Sequence, residues 1–252
     1  MTQQLYLLTG GSRGMGLAIA EQLLQKDNFL ICISRNTQAS LTVHAQKMGA
    51  QLQQWSHDLA EGASASAALK QWLDTQAPGE FQSATLINNA GVIPNIVPLS
   101  QAEPHNLAMA LRVGLEAPMQ LCAAFLSATE NWHIPRKVVN ISSGLGRRAM
   151  ASQAGYCAAK AGLDHFTRCL ALEEALKPNG AKVSSLAPGV IDTDMQVQLR
   201  GASAEKFPDQ AGFQQLKATG MLTSPADAAT RILNYLARPD FGSNPVSDVR
   251  DA

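Results

Sequence analysis

Charge, cysteine and long apolar runs are all scarce in this chain. Charged residues make up 16% of its 252 residues, and 20 basic side chains balance 20 acidic ones. A protein that wraps nucleic acid or binds an anionic membrane normally carries a basic excess. We therefore predict neither partner. The apolar fraction of 46% is enough for a substantial core.

The four cysteines are scattered, with no CxxC or CxxH spacing. That pattern predicts no structural metal site. No secretory leader is recognisable, and no segment approaches ~18 consecutive apolar residues. We expect a cytoplasmic protein that does not span a membrane.

Short β-type runs alternate with longer stretches of helical periodicity, as in βαβ units. The predicted strands are Leu5–Thr9, Phe29–Ser34, Ala50–Trp55, Ala84–Asn88, Lys137–Ser142 and Ala181–Leu186, and the predicted helices are Gly14–Lys26, Ser64–Thr75, Glu103–Thr129 and Gln153–Leu176. Several strands lack polar alternation, which indicates helices on both faces of the sheet. We predict one α/β domain over 1–252 with a doubly wound parallel sheet.

Residues 191–223 differ in composition from the rest of the chain, because apolar side chains are interrupted there by helix breakers such as Gly201, Pro208 and Gly212. This pattern predicts short helices over a pocket, which would form a lid. An ordinary helical insertion packed on the core is the equal alternative.

A glycine-rich turn follows the first predicted strand and opens a helix. It reads Thr9-Gly10-Gly11-Ser12-Arg13-Gly14-Met15-Gly16. Glycines let the backbone approach a pyrophosphate, and a helix N-terminus attracts anions. The turn predicts dinucleotide binding; a merely tight βα turn is the alternative.

Further motifs follow along the chain. In sequence order they are His57-Asp58-Leu59, Asn88-Asn89-Ala90-Gly91, Ser142-Ser143, Tyr156-xxx-Lys160 and Pro188-Gly189-Val190-Ile191-Asp192-Thr193. With the GxxxGxG turn, the sequence resembles the short-chain dehydrogenase/reductase family over nearly its whole length. The resemblance implies a Rossmann fold and a nicotinamide cofactor. It implies a cofactor site of Gly10, Ser12, Arg13, Gly14, Met15, Gly16, Arg35, Asp58, Leu59, Asn89, Ala90, Gly91, Tyr156, Lys160, Pro188, Gly189, Ile191 and Thr193, with Asn88 lining the groove.

The second strand ends in Ser34-Arg35-Asn36, where an NAD-selective site usually carries an acid. Arg35 can pair with a 2′-phosphate, and Arg13 can reach it from the other side. NADP(H) is therefore favoured, and two solvated arginines are the alternative.

Tyr156 and Lys160 are four residues apart, so they share one face of a helix. A neighbouring ammonium favours phenolate and is expected to move the tyrosine pKa toward neutrality. Tyr156 would protonate a carbonyl oxygen while Ser143 holds the same oxygen. The resemblance implies that Lys160 also binds the nicotinamide ribose.

Gly114 stands where related reductases carry a catalytic asparagine. In the family this position marks a kink whose carbonyl holds a relay water. Pro118 has no N–H and cannot close the helical bond to the Gly114 carbonyl. The backbone half of the relay is therefore predicted to survive; a weakened enzyme is the alternative.

Several segments resemble the sepiapterin reductase and benzil reductase-like branch, among them Tyr156–Asp164, Pro188–Met195 and Ser247–Asp251. The branch reduces vicinal dicarbonyls with NADPH. Met150, Gly189, Met195 and Leu199 would border the carbonyl site beside Ser143 and Tyr156, and core packing is the alternative for Met150 and Leu199. Asp251 is a candidate substrate-gripping acid, or equally an exposed terminal charge.

The sequence thus predicts an NADPH-dependent carbonyl reductase acting on a small-molecule ketone or diketone. Small residues on the helix from Gln153 allow close helix approach, so a homodimer or homotetramer is expected. The competing function is an NADP(H)-binding sensor that has lost turnover, and Gly114 is the feature favouring it.

Overall fold

Seven parallel strands form one sheet in the computed structural model, which describes residues 3–251. The strands are β1 (Gln3–Thr9), β2 (Asn28–Ser34), β3 (Gln51–Ser56), β4 (Phe81–Asn88), β5 (Arg136–Ile141), β6 (Lys182–Ala187) and β7 (Val246–Asp248). The helices are α1 (Gly14–Leu23), α2 (Ala39–Met48), α3 (Gly62–Asp74), α4 (Pro104–Leu111), α5 (Ala117–Ala128), α6 (Ala154–Ala175), α7 (Asp194–Gly201), α8 (Gln210–Ala218) and α9 (Pro225–Ala237). The strand order is β3-β2-β1-β4-β5-β6-β7.

Helices cover both faces of this sheet, which explains its uninterrupted apolar strands. Leu5 and Leu7 of β1 point into a core shared with α3 and α5. Leu8, the next residue, faces the opposite core beside α1 and α9. Successive side chains on a strand alternate between faces, so one strand serves both cores. The predicted doubly wound fold is confirmed.

Three elements were not predicted from the sequence: α2, α9 and β7. Only Leu41 and Ala45 of α2 are buried, so its apolar periodicity is weak. Strand β7 has three residues, too few for a period-two pattern. The start of α9 does carry a recognisable N-cap residue, Ser224. In the structure its side chain accepts a hydrogen bond from the Asp227 N–H.

The long helix predicted over Glu103–Thr129 is α4 and α5 joined by a π-helical segment, Arg112–Glu116. By length and composition, Pro104–Ala128 is apolar enough to cross a membrane, and it is the one such helix within residues 3–251. However, 56% of its most apolar window is buried inside the protein. A helix packed on a sheet satisfies the same criteria, and α5 packs in the core with α3.

The strand order reverses between β1 and β4, which are neighbours in the sheet although two strands and three α-helices separate them along the chain. In open α/β sheets, ligands bind at the carboxyl ends of the strands beside such a reversal. The glycine turn after β1 and the Asn89–Gly91 segment after β4 meet there.

Candidate active site

The glycine turn is shaped by backbone conformations that need glycine. Gly10 and Gly14 have φ angles of +72° and +55°. A Cβ at Gly10 would lie 3.0 Å from the Ala90 Cα, and one at Gly16 would overlap the Gly10 carbonyl. No side chain of the described residues caps the N-terminus of α1, so its first N–H groups point to this turn. The turn therefore fits the diphosphate of a dinucleotide.

The segment after β4 lies between the glycine turn and Lys160. The N–H groups of Asn89 and Ala90 donate to the Thr9 hydroxyl at 2.9 and 3.0 Å. A Cβ at Gly91 would lie 3.9 Å from Lys160 Nζ. These contacts place the segment between the glycine turn and Lys160, which are both predicted to contact the cofactor.

Asn88 does not line the groove as expected. It is 2% exposed, and its amide donates to Asn140 Oδ1 at 2.9 Å. The side chain of the last β4 residue points into the α5–α6 side of the sheet, where it bonds β5. Its role is to hold two strands together.

Arg35 and Arg13 differ in their surroundings. Arg35 is exposed directly after β2, and its guanidinium forms no hydrogen bond or ion pair with residues 3–251. Arg13 instead pairs with Asp194, the first residue of α7, at 3.1 Å. This exposed pair links the glycine turn to the 191–223 segment.

Asp58 and Leu59 lie after β3, as the resemblance implied. The Asp58 carboxylate accepts a hydrogen bond from the Ala60 N–H at 2.9 Å, and the residue is exposed. The Leu59 side chain belongs to the core. Ser12 and Met15 are partly buried in the glycine turn.

Ser143, Tyr156 and Lys160 come together as predicted from their spacing. Ser143 lies two residues after β5, and its hydroxyl accepts from the Leu145 N–H at 3.2 Å. Lys160 Nζ donates to the Ile141 carbonyl at 2.7 Å and lies 5.8 Å from the centre of the Tyr156 ring. The three side chains therefore converge at the carboxyl end of β5.

The pKa of Tyr156 departs from the expected direction. Burial raises it to about 12, against a smaller lowering by a hydrogen bond with Ser143. Burial also lowers the pKa of Lys160 to about 8, and the negative charge of Asp164 opposes that shift. The prediction of a tyrosine pKa near neutrality is wrong for this site, because Tyr156 is only 8% exposed. A phenol that stays protonated at neutral pH suits a proton donor.

The Gly114 region is a π-helical segment rather than a kink. Over Arg112–Glu116 the helix widens, and the Ala117 N–H donates to the Arg112 carbonyl five residues back. Pro118, in the first turn of α5, has no N–H for the Gly114 carbonyl four residues earlier. A π-helical turn inside an α-helix frequently marks a functional site. Gly114 is buried against α6, since its Cβ would lie 3.1 Å from the Ala159 Cβ.

The segment after β6 forms the opposite wall of the groove. Gly189 has a φ of +85°, and Ile191 pairs with Thr223 in an isolated bridge. Thr193 approaches the glycine turn, because a Cβ at Gly14 would lie 3.5 Å from its methyl group. Pro188 is buried in the same segment.

The substrate candidates have unequal exposure. Met150 and Met195 are partly buried, whereas Leu199 is 4% exposed. Asp251 is exposed. The buried acid of the C-terminal segment is Asp248, which accepts two hydrogen bonds from Arg250 at 2.8 and 2.6 Å.

The 191–223 segment contains the predicted short helices, α7 and α8. It is anchored by Phe207, which is fully buried and stacks on Phe213 with ring centres 5.6 Å apart. The Ser152 hydroxyl donates to the Lys206 carbonyl, and Ser152 has a φ of +60°. The segment is thus fastened to the stretch that precedes Tyr156.

Two buried polar residues near Tyr156 and Lys160 were not singled out from the sequence, namely Gln153 at the N-cap of α6 and Asp164 within α6. Gln153 is 1% exposed, and neither atom of its amide group has a hydrogen-bond partner among residues 3–251. Asp164 is also 1% exposed. Gln153 lies within one helical turn of Tyr156, and Asp164 lies within one turn of Lys160. A polar residue at a position where the helix faces the core was the feature of the sequence that could have identified them.

The sequence profile of the short chain dehydrogenase family matches residues 4–204. The chain belongs to this family. It is 36% identical over 235 residues to a benzil reductase that forms (S)-benzoin in Bacillus cereus, covering 93% of this chain and 94% of the relative. It is 30% identical over 256 residues to sepiapterin reductase of Meriones unguiculatus, covering 97% and 95%.

The fold agrees with solved short-chain dehydrogenase structures. A 3-oxoacyl-(acyl-carrier protein) reductase from Brucella melitensis in complex with NAD superimposes with a TM-score of 0.81 at 23% identity, covering 99% of this chain and 96% of that one. The predicted family, its benzil reductase and sepiapterin reductase branch and the Rossmann fold are confirmed. This short-chain dehydrogenase is an oxidoreductase of a family that uses nicotinamide cofactors.

Proposed function

We propose that this short-chain dehydrogenase is an NADPH-dependent carbonyl reductase acting on ketones or vicinal diketones of the benzil or sepiapterin type. The observation that carries the proposal is the convergence of the buried Tyr156 phenol with the Ser143 hydroxyl, to which it is hydrogen-bonded, and with Lys160 beside its ring. Benzil reductase and sepiapterin reductase among the relatives support the substrate class.

Each catalytic residue has one task in the proposed reaction. NADPH, when bound, supplies a hydride to the carbonyl carbon. The Ser143 hydroxyl donates to the carbonyl oxygen, and Tyr156 gives that oxygen its phenolic proton. The Lys160 ammonium stabilises the phenolate that remains, and it would hold the nicotinamide ribose. The Gly114 carbonyl would position a water that returns the proton.

NADPH is favoured over NADH by the charges at the end of β2. Arg35 is exposed there, without an ion pair to residues 3–251, so its guanidinium is available to a 2′-phosphate. An acid that would bond the ribose diol is missing from Ser34-Arg35-Asn36. Arg13 would add a second cation once it leaves Asp194.

The substrate would enter beneath α7 and α8. Met150, Gly189, Met195 and Leu199 would give the carbonyl an apolar wall, which suits a hydrophobic diketone. Asp251 remains a candidate contact for a polar end of the substrate. The 191–223 segment would act as the lid.

The expected oligomer would use the exposed faces of α5 and α6. Met119 on α5 and Leu172 and Leu176 at the end of α6 are exposed apolar residues. Covering them with the same helices of a second copy would form a four-helix interface. We propose a homodimer or homotetramer in the cytoplasm, with no nucleic-acid or membrane partner.

The function is tested by following NADPH oxidation with benzil, aliphatic vicinal diketones and sepiapterin. Turnover of one dicarbonyl with NADPH, and much weaker turnover with NADH, is expected. The second candidate function is a sensor, which Gly114 favours because the usual asparagine is missing. Tight NADPH binding without turnover of any compound would favour the sensor.

Changing Pro118 to alanine is expected to slow reduction about 10-fold. The new N–H can bond the Gly114 carbonyl, so the π-helical segment closes and the carbonyl is lost to the relay. Single-turnover kinetics would measure the step. Pro104→Ala, at the start of α4, is the control because it leaves this segment unchanged. Equal rates in Pro118→Ala and the wild type would contradict the relay.

A further inference from the structure

Asp164 is a buried carboxylate with a single strong hydrogen bond. It is 1% exposed, and its Oδ1 accepts from the Ser185 hydroxyl of β6 at 2.6 Å. This distance is at the short end of the range for O–H···O hydrogen bonds. Its Oδ2 is buried as well and receives no hydrogen bond from residues 3–251. Acids are almost never fully buried unless a charge or hydrogen bond compensates them, so the burial of Asp164 indicates a specific structural or functional role.

The carboxylate lies beneath the turn that carries the catalytic serine. A Cβ at Gly146 would lie 2.7 Å from Asp164 Oδ2 and 3.0 Å from the Lys160 carbonyl oxygen. Gly146 ends a short 3-10 turn, Gly144–Gly146, that begins directly after Ser143. Only a residue without a side chain leaves room for the carboxylate at this point. Asp164 thus touches the Ser143 turn and β6 while standing one helical turn from Lys160.

Lys160 is a buried cation with one neutral acceptor. It is 4% exposed, and Nζ donates to the Ile141 carbonyl at 2.7 Å. Burial without a counter-charge favours the neutral amine. Asp164 is four residues along α6, which places both residues on the same helix face. Its negative charge is the interaction that favours the ammonium.

Other ionisable groups lie on the elements packed against α6. They are His105 of α4, Arg112 and Glu116 of the π-helical segment, Arg136 and Lys137 of β5, Arg147 after the Ser143 turn, Lys182 of β6 and Asp248 of β7. None of these shifts the pKa of Lys160. Arg136 lies near Glu174, and Asp248 pairs with Arg250. Asp164 is therefore the acid whose charge favours the ammonium form of Lys160.

We propose that Asp164 is a positioning residue of the catalytic centre, whose buried carboxylate keeps Lys160 an ammonium and supports the turn of Ser143. The inference rests on the proposed reductase function, because Lys160 acts through Tyr156. Asp164 would act through Lys160, one helical turn away on α6, and would not itself touch the reacting atoms.

The test compares Asp164→Asn with the wild type in the pH dependence of kcat for dicarbonyl reduction, from about pH 5.5 to about 9.5. In the wild type, kcat is expected to fall above about pH 8 as Lys160 loses its proton. In Asp164→Asn this fall should move down by at least ~1 pH unit, with kcat within about threefold of wild type at the acidic end. KM for NADPH should change little.

Ser185→Ala is the matched control, because it removes the 2.6 Å hydrogen bond and leaves the charge of Asp164. Its alkaline fall should stay within about 0.3 pH units of wild type. An unshifted profile in Asp164→Asn, or the same loss of kcat at every pH, would overturn the proposal. So would a shift in Ser185→Ala as large as that in Asp164→Asn.

A second measurement does not depend on turnover. With ¹³C-labelled lysine, the Cε chemical shift of Lys160, assigned with Lys160→Arg, reports its charge in the intact protein. An ammonium at pH 7 in the wild type is expected, with a lower titration midpoint in Asp164→Asn. A neutral Lys160 at pH 7 overturns the proposal even if Asp164→Asn fails to fold. Wild-type protein that reduces no dicarbonyl would refute the proposed function, while this titration still decides the role of Asp164.

Discussion

Replacing Tyr156 with phenylalanine is expected to lower kcat for dicarbonyl reduction about 10³-fold while NADPH still binds. The phenol is the proton donor in the proposed reaction, and it is protonated at neutral pH, since its ordinary pKa of ~10 is already above 7 and burial raises it further, to about 12. Phenylalanine keeps the ring that packs beside Lys160 and removes only the hydroxyl. Steady-state kinetics and NADPH fluorescence titration would separate the two effects.

Tyr235→Phe provides the matched control. Tyr235 is 7% exposed on α9, and its hydroxyl bonds the Ser184 hydroxyl at 3.1 Å, so it loses an equally buried hydroxyl outside the catalytic constellation. Its kcat should remain within about threefold of wild type. If Tyr156→Phe turned over as fast as Tyr235→Phe, Tyr156 would not be the acid.

Changing Arg35 to aspartate is expected to weaken NADPH binding about 100-fold, or ~3 kcal/mol, with little effect on NADH. The variant removes a cation that is available to the 2′-phosphate and puts a negative charge in its place. A carboxylate there can instead bond the ribose diol of NADH. Dissociation constants for both cofactors, measured by fluorescence titration, give the comparison.

Arg231→Asp makes the same charge change at an exposed position of α9. It separates a local contact from a general effect of net charge, and both cofactors should bind as in the wild type. An equal loss of NADPH and NADH binding in Arg35→Asp would refute the 2′-phosphate assignment. Preserved NADPH binding would refute it as well.

Most of the fold could be predicted because its signals are local. Strand β1, the glycine turn and α1 follow one another in 21 residues of contiguous pattern, Gln3–Leu23, and the structure differs from the prediction there only at the ends of the elements. Strand β7 could not be predicted, since three residues carry no periodicity and the strand forms by pairing with β6. Helix α2 escaped prediction because most of its surface is solvated.

The site was predictable where its geometry depends on spacing. Tyr156 and Lys160 share a helix face because they are four residues apart, and Ser143 meets them because β5 ends beside α6. The prediction that Asn88 lines the cofactor groove was wrong, because the strand pairing in the sheet determines to which face the last residue of β4 points, and Asn88 bonds Asn140 of β5. Arg13 acquired a partner, Asp194, from 181 residues away.

The sequence by itself determined the parallel α/β fold, the glycine turn, the meeting of Ser143, Tyr156 and Lys160 and the family branch, since each depends on residue order and short-range geometry. The tertiary structure alone decided the pKa values at the site, because burial depends on the whole fold. Burial raised the pKa of Tyr156 to about 12 and lowered that of Lys160 to about 8, and the fold brought the buried Asp164 carboxyl beside Gly146.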